Sequence, residues 1–150
     1  MSTLTTKSRS FSLVLVMGAA LAGCSKPVPV AYANLCDAAN NKKTIEVDGY
    51  FNSVGSVMCS TSKAVPHMTC PVPFVDTPGA KQPLTANLDL GKGANEIDKE
   101  GLKIRDDKGE LVGSTQKVKL TTKVNIFTPR PSDPNAAACY LYVVKKIEKL

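Results

Sequence analysis

The sequence predicts an all-β domain with minor helix, a small barrel or sandwich. Three observations lead there. Short segments alternate apolar and polar residues, as half-buried strands do. Gly, Pro, Asn and Asp fall between those segments as turn formers. Only two stretches leave room for a turn or two of helix, which excludes architectures built on helical layers.

The elements follow in order. Ala31 to Asn41, with Leu35 and Ala38-Ala39, has room for one or two helical turns before the sheet begins. Thr44 to Phe51 alternates apolar and polar side chains, and Gly49 inside it signals a bulge or sharp coil. Val54 to Met58 continues toward Cys59. Met68 to Val75 reads as a strand interrupted by Pro71 and Pro73, which places it at a sheet edge. Leu84 to Leu90 alternates again and is closed by the turn Gly91-Lys92-Gly93. Ala94 to Glu100 suits a short helix or turn between strands. Leu102 to Arg105 and Glu110 to Val112 flank Asp106-Asp107-Lys108-Gly109, a hairpin turn. The clearest strand is Lys117 to Phe127, with Val118, Leu120, Val124 and Ile126 on one face and Lys117, Lys119, Lys123 and Asn125 on the other. A proline-bearing loop over residues 128–138 precedes the last strand, which starts at Cys139.

Lys7 and Arg9 precede the apolar run Phe11 to Ala22, which ends in small residues. A charged segment, a short apolar run and a small-residue cleavage site make a secretory signal peptide. The run falls short of the roughly 20 residues a spanning helix needs. Its end, Leu21-Ala22-Gly23-Cys24, resembles the lipobox of bacterial lipoproteins. That resemblance implies that the Cys24 thiol carries a diacylglycerol and that cleavage leaves Cys24 first in the mature chain. Ser25, rather than Asp, comes next. The resemblance then implies the outer membrane, on its periplasmic side, with the inner membrane or cell surface as the other destinations. The expected organisation is therefore a signal peptide over 1–23, the lipidated cysteine with a stiff proline-bearing tether over 24–35, and a domain over 36–150.

The leader takes two of the 19 basic residues, so 17 remain against 13 acidic ones, a net charge of +4 on the mature chain. Such mild basicity announces no nucleic acid, which wants a clustered patch. Cys36, Cys59, Cys70 and Cys139 remain after the lipidated cysteine, an even number in an exported chain, and so read as two disulfides. Three pairings are open. Cys59–Cys70 across a short loop, with Cys36–Cys139 joining the start of the domain to its last strand, is the preferred one.

Three stretches carry a second resemblance: Ile45-Glu46-Val47-Asp48-Gly49-Tyr50, Lys117 to Val124, and Tyr142 to Glu148. They look like small OB-fold proteins of the bacterial envelope, which implies a five-stranded OB-like barrel. Thr122 departs from that pattern, standing where those proteins often have Gly. Their helix between strands three and four also has little room here.

Met58, Cys59, His67, Met68 and Cys70 lie within thirteen residues and include the soft ligands that copper and zinc take. The plainer reading crosslinks Cys59 with Cys70, puts Met58 and Met68 into core gaps and leaves His67 in a loop. No cofactor is expected. Catalysis is not expected either: the carboxylates Asp98, Glu100, Asp106, Asp107 and Glu110 cluster in solvated turns, and the lone His67 has no nucleophile beside it. Lys117, Lys119 and Lys123 make a basic strand face, and Tyr140 and Tyr142 add rings, as single-strand and glycan binders do. Exposed lysines on a strand more often serve solvation. The partners expected are the membrane, through the N-terminal lipid, and an envelope protein or glycan; nucleic acid is not.

Overall fold

The computed structural model describes residues 26–52, 57–62, 65–90, 95–128 and 138–150. Cys24 with its flanks, residues 54–56 of the segment that leads to Cys59, the turn at 91–93 and most of the 128–138 loop lie outside them.

Among the described residues nine strands form: β1 (Val28–Pro29), β2 (Thr44–Phe51), β3 (Ser60–Ser62), β4 (Val65–Val75), β5 (Leu84–Leu90), β6 (Glu96–Asp98), β7 (Gly101–Lys103), β8 (Val118–Ile126) and β9 (Cys139–Lys149). The main sheet runs β1-β2-β8-β9-β5-β4-β3, and β2 also pairs with β4. That last pairing closes β2, β4, β5, β9 and β8 into a five-stranded ring. Counting ring strands in chain order, neighbours run one-two-three-five-four. The third and fifth, β5 and β9, are parallel. This is the strand order of an OB-like barrel, as the resemblance implied.

Alternation explains the core. Ile45, Val47 and Phe51 of β2, Val72 and Phe74 of β4, Leu84, Ala86 and Leu88 of β5, Val118, Leu120 and Val124 of β8, and Leu141 and Ile147 of β9 point inward and are buried. Each such side chain contributes about 1.5–3 kcal/mol of apolar burial. Leu35, from the segment between two 3-10 turns (Tyr32–Asn34 and Ala38–Asn40), joins them with no exposed surface.

Several expectations are corrected. β4 is no edge strand: β5 lies along one flank, and β3 and β2 share the other. The prolines are tolerated because their nitrogens face that shared flank. There Pro73 is needed only as an acceptor, taking the Asn52 N–H at 2.9 Å, and Pro71 falls between the two pairings. Gly49 marks no bulge, since β2 stays in register with β8 through it. It is there for space, at the seam where β2 meets β4. Of the short helix or turn expected over Ala94 to Glu100, the turn forms, at residues 99–100, but inside a hairpin, β6–β7, that the expectation lacked. The 106–109 turn forms as expected, flanked by the bridge Arg105↔Leu111, with Gly109 at φ 84°.

The tether is also shorter than the expected 24–35. β1 pairs in parallel with β2, Val28 opposite Ile45 and Pro29 opposite Glu46, and the Val30 N–H donates to the Glu46 carbonyl at 2.8 Å. Tyr32 then reaches across the barrel mouth. Its hydroxyl donates to the Phe74 carbonyl at 2.9 Å and accepts the Leu84 N–H at 3.1 Å, bridging the splayed end of the β4–β5 ladder.

Candidate functional site

Cys36 is bonded to Cys139, with Cα atoms 5.3 Å apart, and Cys59 to Cys70, with Cα atoms 4.2 Å apart. The second bond takes Cys59 and Cys70 out of the donor set of the 58–70 segment. A sulfur in a disulfide is no thiolate and offers no ligand to Cu(I) or zinc. Cys70 is fully buried. Met58 is 86% exposed and Met68 also lies at the surface, so neither fills the core, and His67 sits on β4 rather than in a loop. Among the described residues no three His, Cys, Asp or Glu side chains group as metal ligands.

The carboxylates serve structure. Lys103 donates to Asp98 at 2.7 Å and to Glu100 at 3.0 Å, and these contacts hold the Asp98 carboxyl below its ordinary range and the Lys103 ammonium above its own. Arg105 pairs with Glu96 at 2.9 Å. Asp106 is buried rather than solvated: its Oδ1 accepts the N–H groups of Lys108 at 3.0 Å and Glu110 at 2.8 Å. A groove of about 760 Å³ between this turn and β9 mixes Asp89, Asp106 and Asp107 with Arg105, Lys108, Lys145 and Lys146. Its charges are interspersed and select neither sign of ligand.

The lysine face divides in two. Pairing sets Lys119 between Asp48 of β2 and Glu148 of β9. Lys117 lies 3.8 Å from Asp48, and Lys146 lies 2.7 Å from Glu148 and 3.6 Å from Asp107. Lys149 reaches Glu110 at 2.9 Å. Acids from neighbouring strands thus neutralise this half, and Lys117 and Lys119 do not form the expected basic stripe. Alternation told which way these lysines point but not what stands beside them.

Lys123 belongs to the other end, where β2 and β9 begin and β8 finishes. It is exposed and sits between Thr44 and Val143. Two irregularities in β9 shape this end. Lys145 and Tyr142 are each an extra residue against β8, and the buried Thr122 donates to the Val143 carbonyl at 2.9 Å between them. The Lys145 ammonium reaches Thr44 Oγ1 at 3.3 Å. Lys42, left-handed at φ 62°, donates its N–H to Val124 and its ammonium to Asn125, and lies 6.0 Å from the Tyr142 ring centre. Tyr142 meets Tyr140 at 6.0 Å, and Tyr140 meets Phe127 at 5.9 Å, all tilted or edge-on. Asn125 Nδ2 donates to the Tyr140 hydroxyl at 2.6 Å.

This end therefore gathers Lys123, Tyr140 and Tyr142 from the expected face with Lys42, Lys43, Asn125, Phe127 and Lys145. The lysines among these additions arrive through strand register and a bulge, which no local pattern reports. Phe127 was legible only as an aromatic ending a strand.

No protein-family model matches the chain, and no curated protein matches it. Among solved structures the chain is similar to one assigned as an aspartyl-tRNA synthetase from Leishmania major Friedlin, at 12% sequence identity and a TM-score of 0.47. The match covers 86% of this chain and 22% of that one. The chain spans about a fifth of that protein's length, and a likeness at this level says nothing about activity or partners.

Proposed function

We propose that this protein is a lipid-anchored component of the bacterial cell envelope, held through Cys24 at the periplasmic side of the outer membrane and serving there as a non-catalytic binding or structural module. One observation carries the reading: Leu21-Ala22-Gly23-Cys24, at the end of a short apolar run behind Lys7 and Arg9. A barrel crosslinked by two disulfides accords with an exported, oxidising setting. Carboxylates engaged in ion pairs and backbone hydrogen bonds accord with a module that performs no chemistry.

The test is mass spectrometry of the native amino terminus together with metabolic labelling by fatty acid. The expected product begins at Cys24 and carries a diacylglycerol, and Cys24→Ser removes the label. An unmodified terminus, or label that survives the substitution, ends the proposal.

A further inference from the structure

We infer that the barrel end bearing Lys42, Lys43, Lys123, Lys145, Phe127 and Tyr142 docks on an anionic lipid surface. The inference rests on the lipid anchor proposed above and adds to it the face that meets the bilayer.

Two independent features converge on this end. The first is where the chain leaves. β1 runs parallel to β2, so going back from Val28 the chain heads past Thr44, toward the end where Lys42 and Lys43 lie. Val28 lies four positions after Cys24, and fully extended that stretch spans at most about 14 Å. The polar layer of a leaflet takes roughly 6 Å of that. What remains is about one screening length at physiological salt, so charges at this end feel the headgroups.

The second is what the end presents. Lys42, Lys43, Lys123 and Lys145 take part in none of the ion pairs among the described residues. Asp37 and Glu46, the acids nearest Lys42 and Lys43 in the chain, do not pair with them, and Glu148, the acid nearest Lys145, pairs with Lys146 instead. Toward the opposite end Lys117 and Lys149 are paired with acids, as is Lys146, which follows Lys145 in the middle of β9. Ammonium groups that form no ion pair among the described residues thus sit where an anionic surface would be. Phe127 and Tyr142 are 41% and 42% exposed beside them. Such rings favour the boundary between apolar and wet surroundings. Tyr140, between them, meets Phe127 at 45° and Tyr142 at 73°, so the three rings offer no flat platform for stacked bases or sugars. That geometry favours headgroups over those ligands.

The described residues hold the whole barrel and both disulfides, so a chain from Ser25 to Leu150 folds without leader or lipid. It should sediment with vesicles of phosphatidylcholine and phosphatidylglycerol, less so as salt rises, and not with phosphatidylcholine alone. Lys42→Gln with Lys145→Gln should weaken partitioning about 25-fold, at about fivefold per lysine. Lys117→Gln with Lys149→Gln, an equal loss of charge at the far end, should leave it nearly unchanged. The protein has no tryptophan, so Tyr142→Trp supplies a single reporter that brominated lipid should quench.

Sedimentation without phosphatidylglycerol, equal losses from the two lysine pairs, or an unquenched reporter would overturn the inference. The two proposals fail separately. A lipidated terminus on a chain that ignores phosphatidylglycerol removes the docking face and keeps the anchor; an unmodified terminus with lipid binding intact does the reverse.

Discussion

A methyl group placed on Gly49 would stand 2.5 Å from both Phe74 Cζ and the Val75 carbonyl oxygen. The ring has some freedom to swing, but the carbonyl belongs to the strand that closes the barrel. Gly49→Ala should therefore cost about 3 kcal/mol or more, read as a lower urea midpoint. A glycine amid alternating residues announces something unusual, yet its sequence cannot say whether the chain bulges there or another backbone comes close. Pro71 and Pro73 carry the same ambiguity. A missing N–H suits an edge, and it suits equally a flank where only the carbonyl is needed. Thr122 shows the converse case. It occupies a site expected to take Gly, and its hydroxyl supplies a partner to a carbonyl beside two β9 irregularities that no local pattern signals.

Among the elements, the segment from Val28 to Cys36 is fastened at three points: by pairing with β2, by the Tyr32 hydroxyl and by the bond to Cys139. Tyr32→Phe leaves the Phe74 carbonyl and the Leu84 N–H without their shared partner and should cost about 1–3 kcal/mol. Burial raises the Tyr32 phenol above its ordinary value of 10.0; the Leu84 hydrogen bond opposes that rise, and the Asp76 charge adds to it. The folded state thus holds this proton more tightly than the unfolded state. Its contribution is complete below pH 10.0 and is lost as pH rises through the folded value. Denaturation followed across alkaline pH should show a steeper decline for the native protein than for Tyr32→Phe; equal slopes would refute this. Strands β2, β5 and β8 were legible because each buries one face and alternates. β6 was not, because three residues are too few to show a period, and β7 was read only as part of the arm from Leu102 to Arg105, without its pairing to β6. The clamp by Tyr32 was invisible, since its partners lie 42 and 52 positions away.

Over the whole molecule, the two disulfides act on very different lengths of chain. One spans 103 positions and the other 11. In the chain-entropy account they are worth about 4.7 and 3 kcal/mol. Replacing Cys36 and Cys139 by Ala should thus lower unfolding free energy in urea by nearly 2 kcal/mol more than replacing Cys59 and Cys70. An equal or reversed order would contradict that account. Charge is organised on the same scale: among the described residues Lys117 and Lys149 are in ion pairs at one end of the barrel and Lys42, Lys43 and Lys123 are in none at the other, an asymmetry that the net value of +6 for the full chain conceals. The long crosslink also decides how the molecule bears force. A pull between Cys24 and the carboxyl terminus passes along residues 24–36, crosses the Cys36–Cys139 bond and leaves through residues 139–150. Everything between the bonded cysteines stays out of the line of tension. Such a pull extends the protein by roughly 90 Å, against roughly 440 Å for the same stretch without the bond, and most of the barrel bears no load.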